Sequence, residues 1–199
     1  LVTRFPRETL TIFVLTSAGS LAFYAYTTYM QKFLVNTSGF SKDTATLISA
    51  GSLLAYMLIQ PLVGALSDKV GRKTTLIFAF AVGMVITYPL LNAIAGTHDA
   101  LAAFGMVVAL LVVLSGYTAV NAVLKAELFP AHVRALGVAL PYALANSIFG
   151  GSAEYAALSF KQAGREDGFY IYVAVVMAAG LIAAVRLRDT NRESLIAED

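Results

Sequence analysis

Residues 64–73, Gly64-Ala65-Leu66-Ser67-Asp68-Lys69-Val70-Gly71-Arg72-Lys73, form a short charged connection between two long apolar segments. A connection between membrane helices usually needs only a turn, whereas this one combines one acid, three bases and two glycines. Gly71 permits a tight turn, and Gly64 permits the close approach of a neighbouring helix. The stretch therefore predicts a charged hinge or gate between two membrane-spanning helices.

The segments on either side of this connection have the composition of a membrane protein with several spans. Of the 199 residues, 58% are hydrophobic and 13% are charged, and the mean hydropathy is +0.74. Ordinary soluble domains carry about 25% charged residues. Because backbone polar groups in lipid must bond within their own segment, spans of about 20 apolar residues are helices. Six such segments predict an all-α membrane protein, at 10–33, 44–66, 74–96, 100–123, 136–160 and 169–187.

Basic residues are distributed unequally between the two predicted faces of the membrane. Six spans bring both termini to one side together with ten bases, and leave four bases on the other side. The side richer in Lys and Arg is cytoplasmic by the positive-inside rule. We therefore expect both termini and the 64–73 connection in the cytoplasm. The ten bases are Arg4, Arg7, Lys69, Arg72, Lys73, Lys125, Arg134, Arg186, Arg188 and Arg192, and the four are Lys32, Lys42, Lys161 and Arg165.

A second charged connection, residues 125–135, reads Lys-Ala-Glu-Leu-Phe-Pro-Ala-His-Val-Arg-Ala. Both connections resemble signature loops of the major facilitator superfamily. The matching pattern in the second connection is Glu-x-Phe-Pro-x-x-x-Arg, and in the first it is Gly-x-Leu-Ser-Asp-x-x-Gly-Arg-Lys. The stretches 29–37, 60–64, 125–137 and 145–155 are similar to its metabolite:proton symporter family. The resemblance implies that residues 1–199 are helices seven to twelve of a twelve-helix transporter, the carboxyl-terminal six-helix bundle. The resemblance also implies an amino-terminal half of six helices as its partner, and a start at Leu rather than Met is expected of a segment from a longer chain.

The same resemblance implies secondary active transport across a bacterial inner membrane, by proton symport with alternating access. The expected substrate is a small organic acid, and α-ketoglutarate is the first candidate. Citrate, shikimate, and betaine or proline are the alternative substrates. A membrane scaffold that does not transport is the alternative from another class. Without cysteine and with only two histidines, far apart, the sequence offers little for a metal site, and no cofactor is expected. No grouping of nucleophile, base and oxyanion donors indicates an enzyme.

Charged residues in the two connections predict a gate at the cytoplasmic face. Glu127 is the acid among several bases, and it is a natural partner for Arg72 or Arg134. A charge network of this kind holds helices together in one state of a transporter and releases them in another. Ordinary positive-inside charge is the alternative, and it suits Lys69 and Lys73 best. The predicted gating residues are Asp68, Arg72, Lys73, Glu127 and Arg134.

Polar side chains inside the spans predict the substrate site, because polar groups in lipid usually face a cavity or a partner. The resemblance places the first and fourth spans at the central cavity. The fifth span carries Tyr142, Asn146, Gly150 and Glu154 on one helical face. Hydrogen bonding between helices is the alternative role for each residue. The predicted substrate-binding residues are Tyr24, Thr28, Tyr117, Asn121 and Asn146.

Glu154 is the one acid placed well inside a predicted span, and it is the expected proton-coupling residue. Burial favours the neutral form of a carboxylate, which suits a proton carrier, and a structural acid bonded to a neighbouring helix is the alternative. Lys32, Lys125 and Lys161 all lie near span ends, so no base is expected in the middle of a span. A dicarboxylate would then take its cations from the other half, or else the substrate is neutral or zwitterionic.

Overall fold

The computed structural model describes residues 4–187, and among them the regular structure is entirely helical. The helices are α1 (Pro6–Tyr26), α2 (Thr28–Asn36), α3 (Lys42–Val70), α4 (Arg72–Gly96), α5 (Ala100–Thr118), α6 (Asn121–Ala126), α7 (Ala131–Ala145), α8 (Ala153–Gln162) and α9 (Glu166–Arg186), with a π-helical turn, Asn146–Gly150, between α7 and α8. Six stretches are long and apolar enough to cross a membrane: Pro6–Tyr26, Lys42–Val70, Arg72–Gly96, Ala100–Ala126, Ala131–Gln162 and Glu166–Arg186. The predicted all-α architecture with six spanning segments is therefore confirmed over the described range.

Helix ends differ from the predicted spans where polar residues continue a helix, or where the backbone breaks inside an apolar stretch. α3 covers Lys42–Val70, whereas the apolar stretch covers 44–66. The predicted span 10–33 is interrupted, because Thr27 separates α1 from α2 with φ −114° and ψ −78°. The Thr27 hydroxyl donates to the Phe23 carbonyl at 2.5 Å, a bond of the kind that bends helices. Hydropathy does not mark the position of this break, because apolar residues occur on both sides of it.

The 64–73 connection is a sharp turn between α3 and α4. Gly71 joins the two helices with φ +97°, a left-handed conformation that glycine adopts without strain. Its amide donates to the Ser67 carbonyl at 2.9 Å and closes the last turn of α3. A Cβ added at Gly64 would meet no described atom within 4 Å. The expected tight turn is thus present, whereas the close helix neighbour expected at Gly64 is not found within the described bundle.

α1 is the most deeply buried of the spanning helices, and it packs against α9, α7 and the π-helical turn. α9 packs in turn against α4, and α5 lies against both α3 and α4. Small residues set these contacts: a Cβ at Gly180 of α9 would lie 2.6 Å from the Cβ of Ala18 on α1. Since lipid is as apolar as the core, close packing and buried hydrogen bonds hold membrane helices together. One such bond joins the hydroxyls of Tyr26 on α1 and Thr87 on α4 at 2.5 Å.

Charged side chains gather at the two ends of the bundle. At the end of α3 that leads into α4, here named the Arg72 end, Arg72 is bound to Glu127. At the start of α3, here named the Lys32 end, Lys32 is bound to Glu154. Each pair joins segments far apart in sequence, so both ends of the bundle are held by ion pairs. Two of the bases expected on the cytoplasmic side, Arg188 and Arg192, lie outside the described residues.

Candidate functional site

A cavity of about 180 Å³ opens between α1, the end of α5, the start of α6, α7 and the π-helical turn. Four of the five predicted substrate-binding residues, Tyr24, Tyr117, Asn121 and Asn146, lie on its wall. The fifth, Thr28, does not line it, because the break at Thr27 leaves Thr28 exposed on α2. The full lining is Gly19, Ser20, Phe23, Tyr24, Tyr117, Thr118, Asn121, Tyr142 and Asn146.

Glycines on α1 and in the π-helical turn leave room for the aromatic walls of this cavity. A Cβ at Gly19 would lie only 2.0 Å from Cε1 of Tyr117, so the tyrosine ring occupies the space that a side chain on α1 would fill. At Gly150 a Cβ would lie 2.8 Å from the ring of Tyr24. The positions of both rings therefore depend on the absence of side chains opposite them. This dependence is invisible in the sequence, which marks the glycines but not their partners.

Hydroxyl and amide groups line the side of the cavity next to α3. The Thr118 hydroxyl lies 2.6 Å from the Tyr56 hydroxyl and donates to Oε1 of Gln60 at 3.1 Å. These bonds fix Thr118 on the cavity wall. Asn121 is different, because its buried Oδ1 has no hydrogen-bond partner among the described residues. Buried polar atoms in proteins are nearly always bonded, so this oxygen is a free acceptor for a donor group of a bound molecule or of a facing protein segment.

Lys125 is placed differently from what its position near a span end predicts. Its side chain is only 2% exposed, and Nζ donates to the Tyr117 hydroxyl at 3.3 Å. The ammonium also lies 4.7 Å from the ring centre of Tyr142 and 5.5 Å from that of Tyr117. Both rings line the cavity, so a buried cation stands directly behind its wall. The spacing of Tyr117, Asn121 and Lys125 at intervals of four was the one signal in the sequence that could have indicated this arrangement.

At the Arg72 end, the structure brings together three of the predicted gating residues. Nη1 of Arg72 donates to the carboxylate of Glu127, and Nη2 donates to Asp68 at 3.4 Å. The Glu127 side chain is 5% exposed, whereas that of Asp68 is 65% exposed. Glu127 is therefore the main partner of Arg72, and Asp68 is a peripheral one.

The other two predicted gating residues bind backbone carbonyls. Nε of Arg134 donates to the carbonyls of Ala126 and Phe129, each at 3.1 Å, and so braces the connection between α6 and α7. Nζ of Lys73 donates to the carbonyl of Leu187 at 2.6 Å, just beyond the end of α9. Both contacts tie helix ends together at the same face of the bundle as Arg72.

Glu154 lies at the Lys32 end, in the first turn of α8 just after the π-helical turn, and does not line the cavity. Its carboxylate accepts a bond from Nζ of Lys32 on α2, and both side chains are partly exposed. Close by, Lys161 donates to the Thr37 hydroxyl at 2.6 Å and lies 3.5 Å from Glu166. These contacts connect α2 to α8 and α9. The arrangement matches the alternative of an acid bonded to a neighbouring helix, and it leaves proton coupling a prediction.

Comparison with known proteins identifies the kind of protein to which this architecture belongs. The profile of the family described as "Sugar (and other) transporter" matches residues 2–197. The chain is 48% identical over 177 residues to the alpha-ketoglutarate permease of Escherichia coli K12, an alignment that covers 89% of this chain and 41% of the permease.

Two further relatives are more distant. The chain is 26% identical over 195 residues to the proline/betaine transporter of Escherichia coli K12, with 98% of this chain and 39% of the transporter covered. It is 30% identical over 137 residues to the citrate-proton symporter of Klebsiella pneumoniae, with 65% of this chain and 29% of the symporter covered. The chain thus spans less than half the length of these relatives. Since the family match extends over almost all of its residues, the chain belongs to the sugar (and other) transporter family of the major facilitator superfamily.

Proposed function

We propose that this chain is the carboxyl-terminal six-helix half of a secondary active transporter that carries a small organic acid together with protons. The first candidate for this acid is α-ketoglutarate. The observation that carries the proposal is the cavity with four residues whose spacing already suggested substrate binding: Tyr24, Tyr117, Asn121 and Asn146. The 48% identity to the alpha-ketoglutarate permease of Escherichia coli supports the choice of substrate.

The cavity has the chemistry needed to hold a carboxylate or keto oxygen. Amide and hydroxyl groups of Asn121, Asn146 and Tyr117 can donate hydrogen bonds to such oxygens, and the aromatic walls limit access of water. Tyr142 on the cavity rim is 42% exposed in this chain. An amino-terminal half packed against that side would close the cavity, and rocking of the two halves would open it to each side of the membrane in turn.

The Arg72 end acts in this proposal as the cytoplasmic gate. The bond between Arg72 and Glu127 ties the start of α4 to the connection after α6, close to the segment that leads into the cavity. Arg134 and Lys73 brace the same face through backbone carbonyls. The positive-inside distribution of Lys and Arg favours this face as the cytoplasmic one, in a bacterial inner membrane.

Proton coupling is assigned in this proposal to Glu154. Its carboxylate is bound to Lys32, and a proton on Glu154 would remove the charge that holds this pair together. The contact between α2 and α8 would then weaken at the Lys32 end of the bundle. A proton taken up on the outside thus releases one closure while the substrate occupies the cavity.

A betaine or proline transporter is the second candidate, and one observation favours it. Four aromatic rings, of Phe23, Tyr24, Tyr117 and Tyr142, line the cavity, and aromatic faces bind quaternary ammonium groups. The identity to the proline/betaine transporter of Escherichia coli is lower, at 26%. An organic acid is therefore the first candidate substrate, and a zwitterion is the second.

The test is transport by this chain together with an amino-terminal half. The first six helices of the Escherichia coli alpha-ketoglutarate permease serve as that half. This combination is here named the paired transporter. Proteoliposomes receive a pH gradient, alkaline inside, and labelled α-ketoglutarate. We expect uphill uptake that collapses with a protonophore and that unlabelled α-ketoglutarate inhibits more strongly than betaine or citrate.

Each half alone is the control, and neither should accumulate substrate. Accumulation by this chain alone would contradict its role as half of a transporter. Uptake of labelled betaine in place of α-ketoglutarate would support the second candidate. A correctly inserted paired transporter that moves neither compound, nor citrate, would favour the scaffold alternative.

A further inference from the structure

Lys125 is a buried basic side chain without a carboxylate partner in the described part of the chain. Its side chain is 2% exposed, and the contacts of Nζ are the Tyr117 hydroxyl and the faces of two rings. A buried charge is costly unless it is paired. A cation held in this way has unused capacity for an anion.

The acids that form ion pairs in the described range are all engaged with other bases. Asp68 and Glu127 bind Arg72 at the Arg72 end. Glu154 binds Lys32, and Glu166 lies beside Lys161, at the opposite end of the bundle. The anion that would complete the surroundings of Lys125 is therefore not supplied by any of these pairs.

The surroundings of Lys125 coincide with the wall of the cavity. Tyr117 and Tyr142, which contact the ammonium, both line it. Asn121 lies one helical turn before Lys125, and its buried Oδ1 has no hydrogen-bond partner in the described chain. Lys125, which has no acidic partner among the described residues, thus lies directly behind the tyrosine wall of the cavity, one helical turn from the polar side chain of Asn121.

We infer that Lys125 binds a carboxylate group of the transported molecule, an inference that rests on the proposed transport function. The ammonium rests against the two tyrosine rings, which stabilise it less than an anion does. A carboxylate that reaches Nζ past the rings of Tyr117 and Tyr142 receives a charge-assisted hydrogen bond from the ammonium. One cation for an organic acid therefore comes from this half.

This assignment concerns the carboxylate and not the rest of the molecule. A dicarboxylate would place one carboxylate at Lys125 and take its second cation from the amino-terminal half. A zwitterion such as betaine would also place its carboxylate at Lys125, with its ammonium against the remaining aromatic walls. The inference can consequently be judged on either class of substrate.

The experiment uses the paired transporter with Lys125→Gln, Lys125→Met and Lys125→Arg, and measures KM and kcat for α-ketoglutarate. Loss of a charge-assisted hydrogen bond should raise KM about tenfold or more, with a smaller change in kcat. Lys125→Arg keeps the charge and should recover part of the affinity. The matched control is Lys69→Gln, since Lys69 is an exposed lysine near the end of α3, and it should leave KM unchanged.

A second measurement separates contact with the substrate from a structural role. Inhibition is compared for α-ketoglutarate and for its two mono-amides, each lacking the charge of one carboxyl. One mono-amide lacks the carboxylate that Lys125 binds. Its inhibition constant should be the same for the parent and for Lys125→Gln, because the interaction between the two groups is already lost. For the other mono-amide, Lys125→Gln should weaken inhibition as much as it does for α-ketoglutarate.

Several outcomes would overturn the inference. Unchanged KM for α-ketoglutarate in a stable Lys125→Gln transporter would do so while leaving the proposed function intact. If Lys125→Gln weakens inhibition equally for α-ketoglutarate and for both mono-amides, Lys125 has a structural role instead. Lys125→Met replaces an unpaired charge by an apolar chain and should be at least as stable as the parent, so a marked loss of its thermal stability would also speak against the inference. If the parent transports betaine and not α-ketoglutarate, the proposed substrate fails, and the same variants tested with betaine decide the role of Lys125.

Discussion

The guanidinium of Arg72 is bound to the buried carboxylate of Glu127, 55 positions further along the chain. Arg72 also contacts Asp68, four residues before it, at 3.4 Å. The two acids differ in their surroundings, since Glu127 is enclosed and Asp68 faces outward. The contact that spans the bundle is therefore the stronger one, although the local contact belongs to the more conspicuous sequence motif.

Glu127→Gln should destabilise the protein more than Asp68→Asn. Removal of the Glu127 charge leaves Arg72 partly buried with only a weak partner, which we expect to cost about 1.5–3 kcal/mol of unfolding free energy. The pair of Arg72 with Asp68 is exposed, and its loss should cost less than about 1 kcal/mol. Thermal unfolding of the paired transporter in detergent measures both. Equal losses for the two variants would show that Asp68 holds Arg72 as firmly as Glu127 does.

Glu154→Gln should abolish accumulation driven by the pH gradient and should spare exchange of substrate between the two sides. The neutral amide can no longer take up and release a proton, whereas the cavity, which Glu154 does not line, stays intact. The measurements are uptake under a pH gradient and counterflow without one, in proteoliposomes.

The control for this prediction is Lys32→Gln, which breaks the same ion pair and keeps the carboxylate. If Glu154 carries the proton, Lys32→Gln should retain gradient-driven accumulation, at a reduced rate. The same complete loss in both variants would show that the ion pair matters only as a tie between α2 and α8. Unchanged accumulation in Glu154→Gln would rule out the coupling role altogether.

Hydropathy and turn chemistry were sufficient to predict the six spans and the turn between α3 and α4. Apolar length determines a span directly, because lipid leaves the backbone no alternative to a helix. Gly71 indicated the turn, because a positive φ at that place is accessible to glycine. These features follow from local sequence and from the membrane alone.

The break at Thr27 and the burial of Lys125 could not be predicted in the same way. The break depends on the backbone conformation at Thr27, and Thr28 is consequently exposed instead of lining the cavity. Lys125 lies near the end of an apolar stretch, where lysines usually reach toward water. Its burial depends on Tyr142, a residue on another helix, so tertiary packing decided it.

Gly19→Ala should impair substrate binding at the cavity. Its new Cβ would lie 2.0 Å from Cε1 of Tyr117, so the ring must move away from α1. We expect a loss of about 1–3 kcal/mol in stability, the usual cost of overpacking, and an increase in KM for α-ketoglutarate of at least about tenfold. The measurements are thermal unfolding and initial rates of uptake.

The matched control for Gly19→Ala is Gly105→Ala, an exposed position on α5 where a Cβ would meet nothing within 4 Å. Alanine is the better helix former by about 1 kcal/mol, so this variant should be as stable as the parent or more stable. Its KM should not change. An unchanged KM in Gly19→Ala as well would show that the ring of Tyr117 does not shape the substrate site.

Thr87→Val should destabilise the bundle more than Tyr26→Phe, although both remove the same bond of 2.5 Å between α1 and α4. When the Tyr26 hydroxyl is removed, Thr87 still donates to the Gly83 carbonyl at 2.6 Å, so no buried polar group is orphaned. The cost should be close to the average of about 0.6 kcal/mol for bonds between membrane helices. Thr87→Val instead leaves the Tyr26 hydroxyl with only the sulfur of Met177 at 3.5 Å, a weak acceptor, and should cost about 1–3 kcal/mol. Thermal unfolding of both single variants and of the double variant measures the difference, and a double variant more stable than Thr87→Val alone would confirm that the orphaned hydroxyl causes the larger loss.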